Sequence, residues 1–187
     1  MATWNHLEIT VWQDVLGEFI THLGSWDTIT FVGVHNCQIP VMFNRLTDIT
    51  SVTGIDTFNA NETASADLGI DWESQDILDA CRTYAQAIFT HIGGTLHVPA
   101  SVNDALANVA DNSQDVVWID WPDRSVETTT SIVTSWYSKV KPGGIIAGKG
   151  WFNESVRDAV DAVLDTNGIT EAKWTTVGYS WFAMKPA

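Results

Sequence analysis

From Asp115 to Lys185 the chain alternates strand-like and helix-like segments, beginning DVVWIDWPDRSVETTTSIVTSWYSKVKPGGIIAGKGWF. Val116-Val117-Trp118-Ile119 is an apolar, β-branched and aromatic run fit for a buried strand, with Asp120 where that strand would emerge. Ser125 to Lys139 has room for a helix, and Pro142-Gly143-Gly144 breaks it ahead of Ile145-Ile146-Ala147. Strand, helix, strand at these lengths implies a parallel pair with a right-handed crossover. In open α/β sheets, ligand-touching groups lie just past the carboxyl ends of the strands. Asp120 and Lys149-Gly150-Trp151 occupy two such ends.

The rest of the chain repeats the alternation. Asn5 with Glu8 reads as a capping box for a first helix. Val11, Trp12, Val15, Leu16, Phe19, Ile20 and Leu23 recur along it at helical spacing before Gly24. A strand is expected over 28–34, then a turn from Gly33 to Gln38 and a helix from Pro40 to about Asp48. A second strand at 51–56 ends on Asp56, and residues 57–71 are polar and loop-like. Ile77, Leu78, Cys81, Tyr84, Ala85, Ile88, Phe89 and Ile92 trace one helical face, closed by Gly93-Gly94. A third strand follows at 95–98, and Ser101 with Asp104 caps a helix over Ala105 to Val109. Strands at 115–120 and 144–148 come next, and then a helix capped by Asn153 with Val156, Ala159, Val160 and Val163 inward. The tail splits around Gly178 into an antiparallel hairpin.

The predicted fold class is α/β: a Rossmann-like, doubly wound, mostly parallel seven-stranded sheet closed by a C-terminal antiparallel hairpin. The 187 residues read as one domain, with 1–27 an N-terminal helical extension and 28–185 the core. No apolar run approaches a bilayer-spanning length, and the N-terminus lacks a signal-peptide pattern, so no membrane partner and a cytoplasmic location are expected. A net charge of −14 repels phosphate backbones and argues for no nucleic acid partner. Cys37 and Cys81 make no metal or redox spacing and read as free, partly buried thiols. The ten tryptophans are dispersed and read mostly as core or core-edge residues.

Three stretches resemble the class I S-adenosylmethionine-dependent methyltransferases, and most closely their small O-methyltransferase-like branch. They are FVGVHNCQ followed by TGID, then VVWIDWPDRSVE, then WYSKVKPGGIIAGKGW. The resemblance spans about residues 28–185 and implies S-adenosylmethionine as cofactor and methyl transfer to a hydroxyl of a small-molecule substrate or sugar. The departures are specific. Phe31 or Val32 stands where the first motif has an acid, and Cys37 replaces its second glycine. Trp121 follows Asp120 where glycine is usual, and Gly148-Lys149-Gly150 stands in place of Gly-His-Asp.

Residue by residue, the resemblance implies cofactor contacts at Gly33, Val34, His35, Asp56, Thr57, Ala100, Ser101 and Asp120. Backbone N–H groups at Gly33-Val34-His35, between a strand and a helix N-terminus, suit an anionic or hydroxyl group; a lone glycine in such a turn also serves sterics alone. Asp56 at a strand end can accept hydrogen bonds from ribose hydroxyls, or act as a cap. Ser101 is equally a helix N-cap. The candidates for chemistry are Asp120, Lys149 and His35. Lys149, in the histidine slot, acts as a base only if its pKa falls, and otherwise pairs with Asp120. No metal is expected, because a magnesium site would need oxygens from Asp123, Asn153 or water beside Asp120. A methyltransferase-like domain that has lost catalysis and binds a ligand or protein is the alternative. A nicotinamide-binding protein ranks last, for want of G-x-G-x-x-G. A homo-oligomer stays open.

Overall fold

The computed structural model describes residues 26–47, 49–59, 74–169, 173–174 and 180–187. The expected helix before Gly24 and most of the 57–71 loop lie outside these residues. The order is β1 (Thr28–Val32), α1 (Gln38–Leu46), β2 (Ser51–Ile55), α2 (Gln75–His91), β3 (Thr95–His97), a 3-10 helix (Val102–Asn108), β4 (Gln114–Ile119) and α3 (Val126–Tyr137). It continues with β5 (Val140–Lys149), α4 (Glu154–Thr166), β6 (Lys173–Trp174) and β7 (Ser180–Met184).

Among the described residues these strands make one seven-stranded sheet in the order β3-β2-β1-β4-β5-β7-β6. From β3 to β5 every neighbouring pair is parallel, as the crossover helices require. β7 lies antiparallel to β5, with Gly148 opposite Trp181, and β6 pairs antiparallel with β7. The predicted architecture is thus present, hairpin included.

Each central strand is buried on both faces, so its residues alternate between two cores rather than between core and water. Val116 and Trp118 of β4 join Ile29, Phe31, Phe43 and Phe89 on the face covered by α1 and α2. Val117 and Ile119 join Ile132, Trp136, Val160 and Trp181 on the face covered by α3 and α4. The ring of Phe89 stands over Gly54, where an added Cβ would meet it at 2.3 Å, so β2 carries a glycine to let α2 approach. Thr30, fully buried in β1, satisfies its hydroxyl on Gln114 Oε1 at 2.8 Å. Every tryptophan whose side chain is described is buried or packed against a core, as expected.

Two polar fasteners sit at the amino ends of the strands. Asp115 Oδ2 accepts from the backbone N–H groups of Asp27 and Thr28 and from Thr28 Oγ1, while Lys141 Nζ reaches Asp115 Oδ1 at 2.8 Å. Near the C-terminus, Lys185 Nζ donates to the carbonyls of Tyr137 and Val140, placing a cation where α3 ends.

Three expectations need correction. Pro142-Gly143-Gly144 ends no helix but lies inside β5, which starts at Val140. Val140 pairs with Gln114, a register shift follows, and Gly143 and Gly144 exchange backbone hydrogen bonds with Lys185. The segment after Ser101 is a 3-10 helix over Val102–Asn108, not an α-helix from Ala105. Ile77 and Tyr84 were expected on the buried face of α2, yet they are 49% and 53% exposed. Leu78, Ala85 and Phe89 define a narrower apolar stripe that suffices to pack α2 on the sheet edge.

Candidate functional site

The strand order reverses between β1 and β4, and the residues leaving those strands face each other. Gly33 has φ +87, and a Cβ there would lie 2.1 Å from the carbonyl oxygen of Asp120. Glycine is therefore demanded twice at this position, by its backbone conformation and by the close passage of β4. Cys37, at the position where the resemblance would put a second glycine, holds a left-handed backbone (φ 59, ψ 18) at the N-cap of α1. The turn that a glycine would permit is thus formed by a cysteine, at a cost of about 1–2 kcal/mol of local strain. Burial pushes the Cys37 thiol up to about 12, helped by the Asp56 carboxylate and by Cys81, so it stays protonated.

Asp56 is the hub of this turn. Its Oδ2 accepts the N–H of Val34 at 2.8 Å and of His35 at 2.9 Å, and its Oδ1 accepts the N–H of Phe58 at 2.9 Å. Gly33 N–H is taken by the carbonyl of Ile55. The backbone donors expected to greet a ligand at Gly33, Val34 and His35 are thus engaged by the neighbouring strand and by its terminal acid. Two expected ligand contacts instead satisfy one another. His35 and Phe58 both hold positive φ, at 42° and 49°, so the tie sustains uncommon backbone conformations on both sides. Among the described residues one lone-pair direction of Oδ1 is left over, since a carboxylate accepts about four hydrogen bonds.

Asp120 and Lys149 do pair, at 3.0 Å, across the ends of β4 and β5. Sheet register dictates it: Ile119 is opposite Gly148, so the next residue of each strand meets its counterpart. Gly148 is required where it stands, because a Cβ would lie 2.5 Å from the carbonyl of Ile119 and 3.0 Å from the Trp181 ring. Trp181 also donates its indole N–H to the carbonyl of Lys149 at 3.2 Å, fixing the strand end. Beside this pair is a pocket of about 20 Å³, lined by Trp121, Asp123, Arg124, Thr129, Lys149 and Trp181 with three aliphatic side chains. Its volume corresponds to a water or a small functional group.

The remaining candidates are dispersed. His35 is exposed at the β1 turn, and Thr57 is half-buried beyond β2. Ala100 is exposed after β3, and the Ser101 hydroxyl and N–H both donate to Asp104 Oδ2 at 3.0 Å, so Ser101 works as a capping residue. Asp123 accepts from Ser125 N–H and Thr128 Oγ1, and Asn153 accepts from Val156 N–H. Asp123 thus braces the residues around the start of α3, whose N-cap is Ser125, and Asn153 caps α4. Partial burial raises the Asp123 pKa, but the bonds from Thr128 and Ser125 outweigh it and hold the carboxyl below its usual range. No group of three or more His, Cys, Asp or Glu side chains able to hold a metal occurs among the described residues.

Arg124 and Trp181 escaped the sequence reading. Trp181 reaches the site only because β7 inserts beside β5, and Arg124 comes to line the same pocket as Lys149 through the β4–β5 pairing. A basic residue in the segment leaving a central strand was the available signal.

The strand order, with its reversal between β1 and β4 and with β7 antiparallel beside β5, is that of the class I methyltransferase fold. Among solved structures, the chain is similar to the O-methyltransferase NovP, with a TM-score of 0.62 at 16% identity over 96% of this chain and 78% of that one. It is similar to the O-methyltransferase TomG from Streptomyces achromogenes, solved with SAM, at 0.58 and 11% over 100% and 82%. The O-methyltransferase from Bacillus cereus in complex with SAH gives 0.56 and 12% over 98% and 91%. No family model and no curated protein matches the sequence. Among the described residues, no helix is long and apolar enough to cross a membrane.

Proposed function

We propose that the protein binds S-adenosylmethionine and transfers its methyl group to a hydroxyl of a small molecule or sugar. The observation that carries this reading is the constellation at the strand-order reversal: Gly33, Asp56 and Asp120 at three adjacent strand ends. It sits in a fold whose similar structures include O-methyltransferases along nearly the whole chain. The cofactor would supply an electrophilic methyl on a sulfonium, so the protein's task is geometry.

The residues present fit such a group. The free lone pair of Asp56 Oδ1 suits a ribose hydroxyl, and the backbone tie of Oδ2 holds the carboxylate oriented toward it. On the acceptor side, Lys149 is engaged in an ion pair with Asp120. Asp120 is better placed to accept a hydrogen bond from the acceptor hydroxyl, with Lys149 limiting how far its carboxylate can swing. His35, exposed and tied through its backbone N–H to Asp56, has the weakest claim to a catalytic role.

Calorimetric titration with S-adenosylhomocysteine tests the reading. Saturable one-to-one binding is expected. Silence at millimolar ligand would overturn it in favour of a methyltransferase-like domain with a different ligand or a protein partner.

A further inference from the structure

The charges around the small pocket do not cancel in the way their number suggests. Two cations and two carboxylates line or adjoin it: Arg124, Lys149, Asp120 and Asp123. Lys149 is spent on Asp120 at 3.0 Å. Asp123 is spent on the first turn of α3, through Ser125 N–H and Thr128 Oγ1. Among the described residues, Arg124 has neither a carboxylate nor a carbonyl partner.

Elsewhere in this acidic chain, basic side chains in partly buried positions are neutralised or anchored. Lys139 meets Asp111, Lys141 meets Asp115, and Lys185 reaches backbone carbonyls. An unpaired, half-buried guanidinium in a protein of net charge −14 stands apart from that pattern. Its placement is also fixed. Gly150 has φ +92, and a Cβ there would come within 3.7 Å of Arg124 Nε, so the side chain lies across the turn that leaves β5. The amino end of α3 opens beside the same pocket through Thr129 and adds positive potential. The indoles of Trp121 and Trp181 supply flat apolar walls.

We infer that Arg124 is a specificity residue whose guanidinium receives a carboxylate of the acceptor, which is a planar, hydroxyl-bearing acid. This rests on the methyl-transfer reading for the word acceptor, but the anion subsite itself does not need it. A planar fork with several N–H donors takes a carboxylate in bidentate fashion, which a neutral amide cannot reproduce. The pocket's size suits the carboxylate group, with the ring lying at its mouth.

The test uses the whole chain with 4-hydroxybenzoate and 4-hydroxybenzamide as probes, by calorimetry, beside a parallel titration with S-adenosylhomocysteine. The acid is expected to bind at least about tenfold tighter than the amide, the scale of one charge-assisted hydrogen bond. Arg124→Met should erase that preference, and Arg124→Lys should keep part of it, with unchanged thermal midpoints showing that both variants fold. Equal binding of acid and amide, no binding of either, or a preference that survives Arg124→Met would overturn the subsite. S-adenosylhomocysteine binding without the acid preference rejects the subsite alone. Acid preference without S-adenosylhomocysteine binding rejects methyl transfer and keeps the subsite.

Discussion

Lys149 Nζ stands 3.0 Å from Asp120 Oδ2, tying the carboxyl ends of β5 and β4 together next to Gly150, the position at which the resemblance would place a metal-binding carboxylate. An ammonium in that position repels a divalent cation and neutralises the oxygen the cation would need. Magnesium sheds its waters only for several preorganised oxygens. Turnover is therefore expected to survive a chelator. Activity lost in chelator and restored by magnesium would show that other oxygens complete a site.

Asp56 carries two duties, and its removal should report both. Asp56→Ala is expected to weaken S-adenosylhomocysteine at least about tenfold. It also strands the N–H groups of Val34, His35 and Phe58, so amide exchange at those three positions should quicken. Weakened binding with unchanged exchange would show that the backbone tie contributes nothing to the turn.

Gly33 and Gly143 both have positive φ, yet only Gly33 is crowded. Gly33→Ala must push against the carbonyl of Asp120 as well as adopt the left-handed backbone, at roughly 2–4 kcal/mol of stability. Gly143→Ala meets nothing within 4 Å and should cost about 1 kcal/mol. Urea unfolding of the two variants separates conformational strain from steric contact, and equal losses would contradict the assigned clash.

Acid stability should depend on Asp115. Partial burial raises its pKa, but the hydrogen bonds from Lys141, Thr28 and the backbone N–H of Asp27 outweigh this and hold it below the usual carboxylate range. A carboxyl whose folded pKa lies below its unfolded one stabilises fully above the unfolded value and loses that contribution as pH falls through the folded one. Asp115→Asn should therefore lower stability at neutral pH and flatten its decline below about pH 4. Parallel pH profiles for variant and parent would sink this assignment.

The alternation of strands and helices was legible because burial on both faces leaves near-continuous apolar runs such as Val116 to Ile119, and glycines mark where helices stop. The boundaries that were misplaced have a common cause. Pro142-Gly143-Gly144 reads locally as a breaker, but Gln114 and Lys185 supply partners on either side that extend β5 through it. The period of α2 overstated its buried face because periodicity counts apolar residues and not the neighbours available to cover them. Ile77 and Tyr84 have the right spacing but meet no sheet.

By itself the sequence determined the fold class, the reversed final strand and the strand ends at which Gly33, Asp56 and Asp120 gather. These follow from local propensity and from the short list of ways parallel strands can be connected. Tertiary structure alone decided who bonds to whom. Asp56 turned to the backbone of the β1 turn, Lys149 closed on Asp120, and Arg124 was left without a partner among the described residues. Such pairings depend on sheet register and on ångström-scale competition among donors, which no linear spacing encodes.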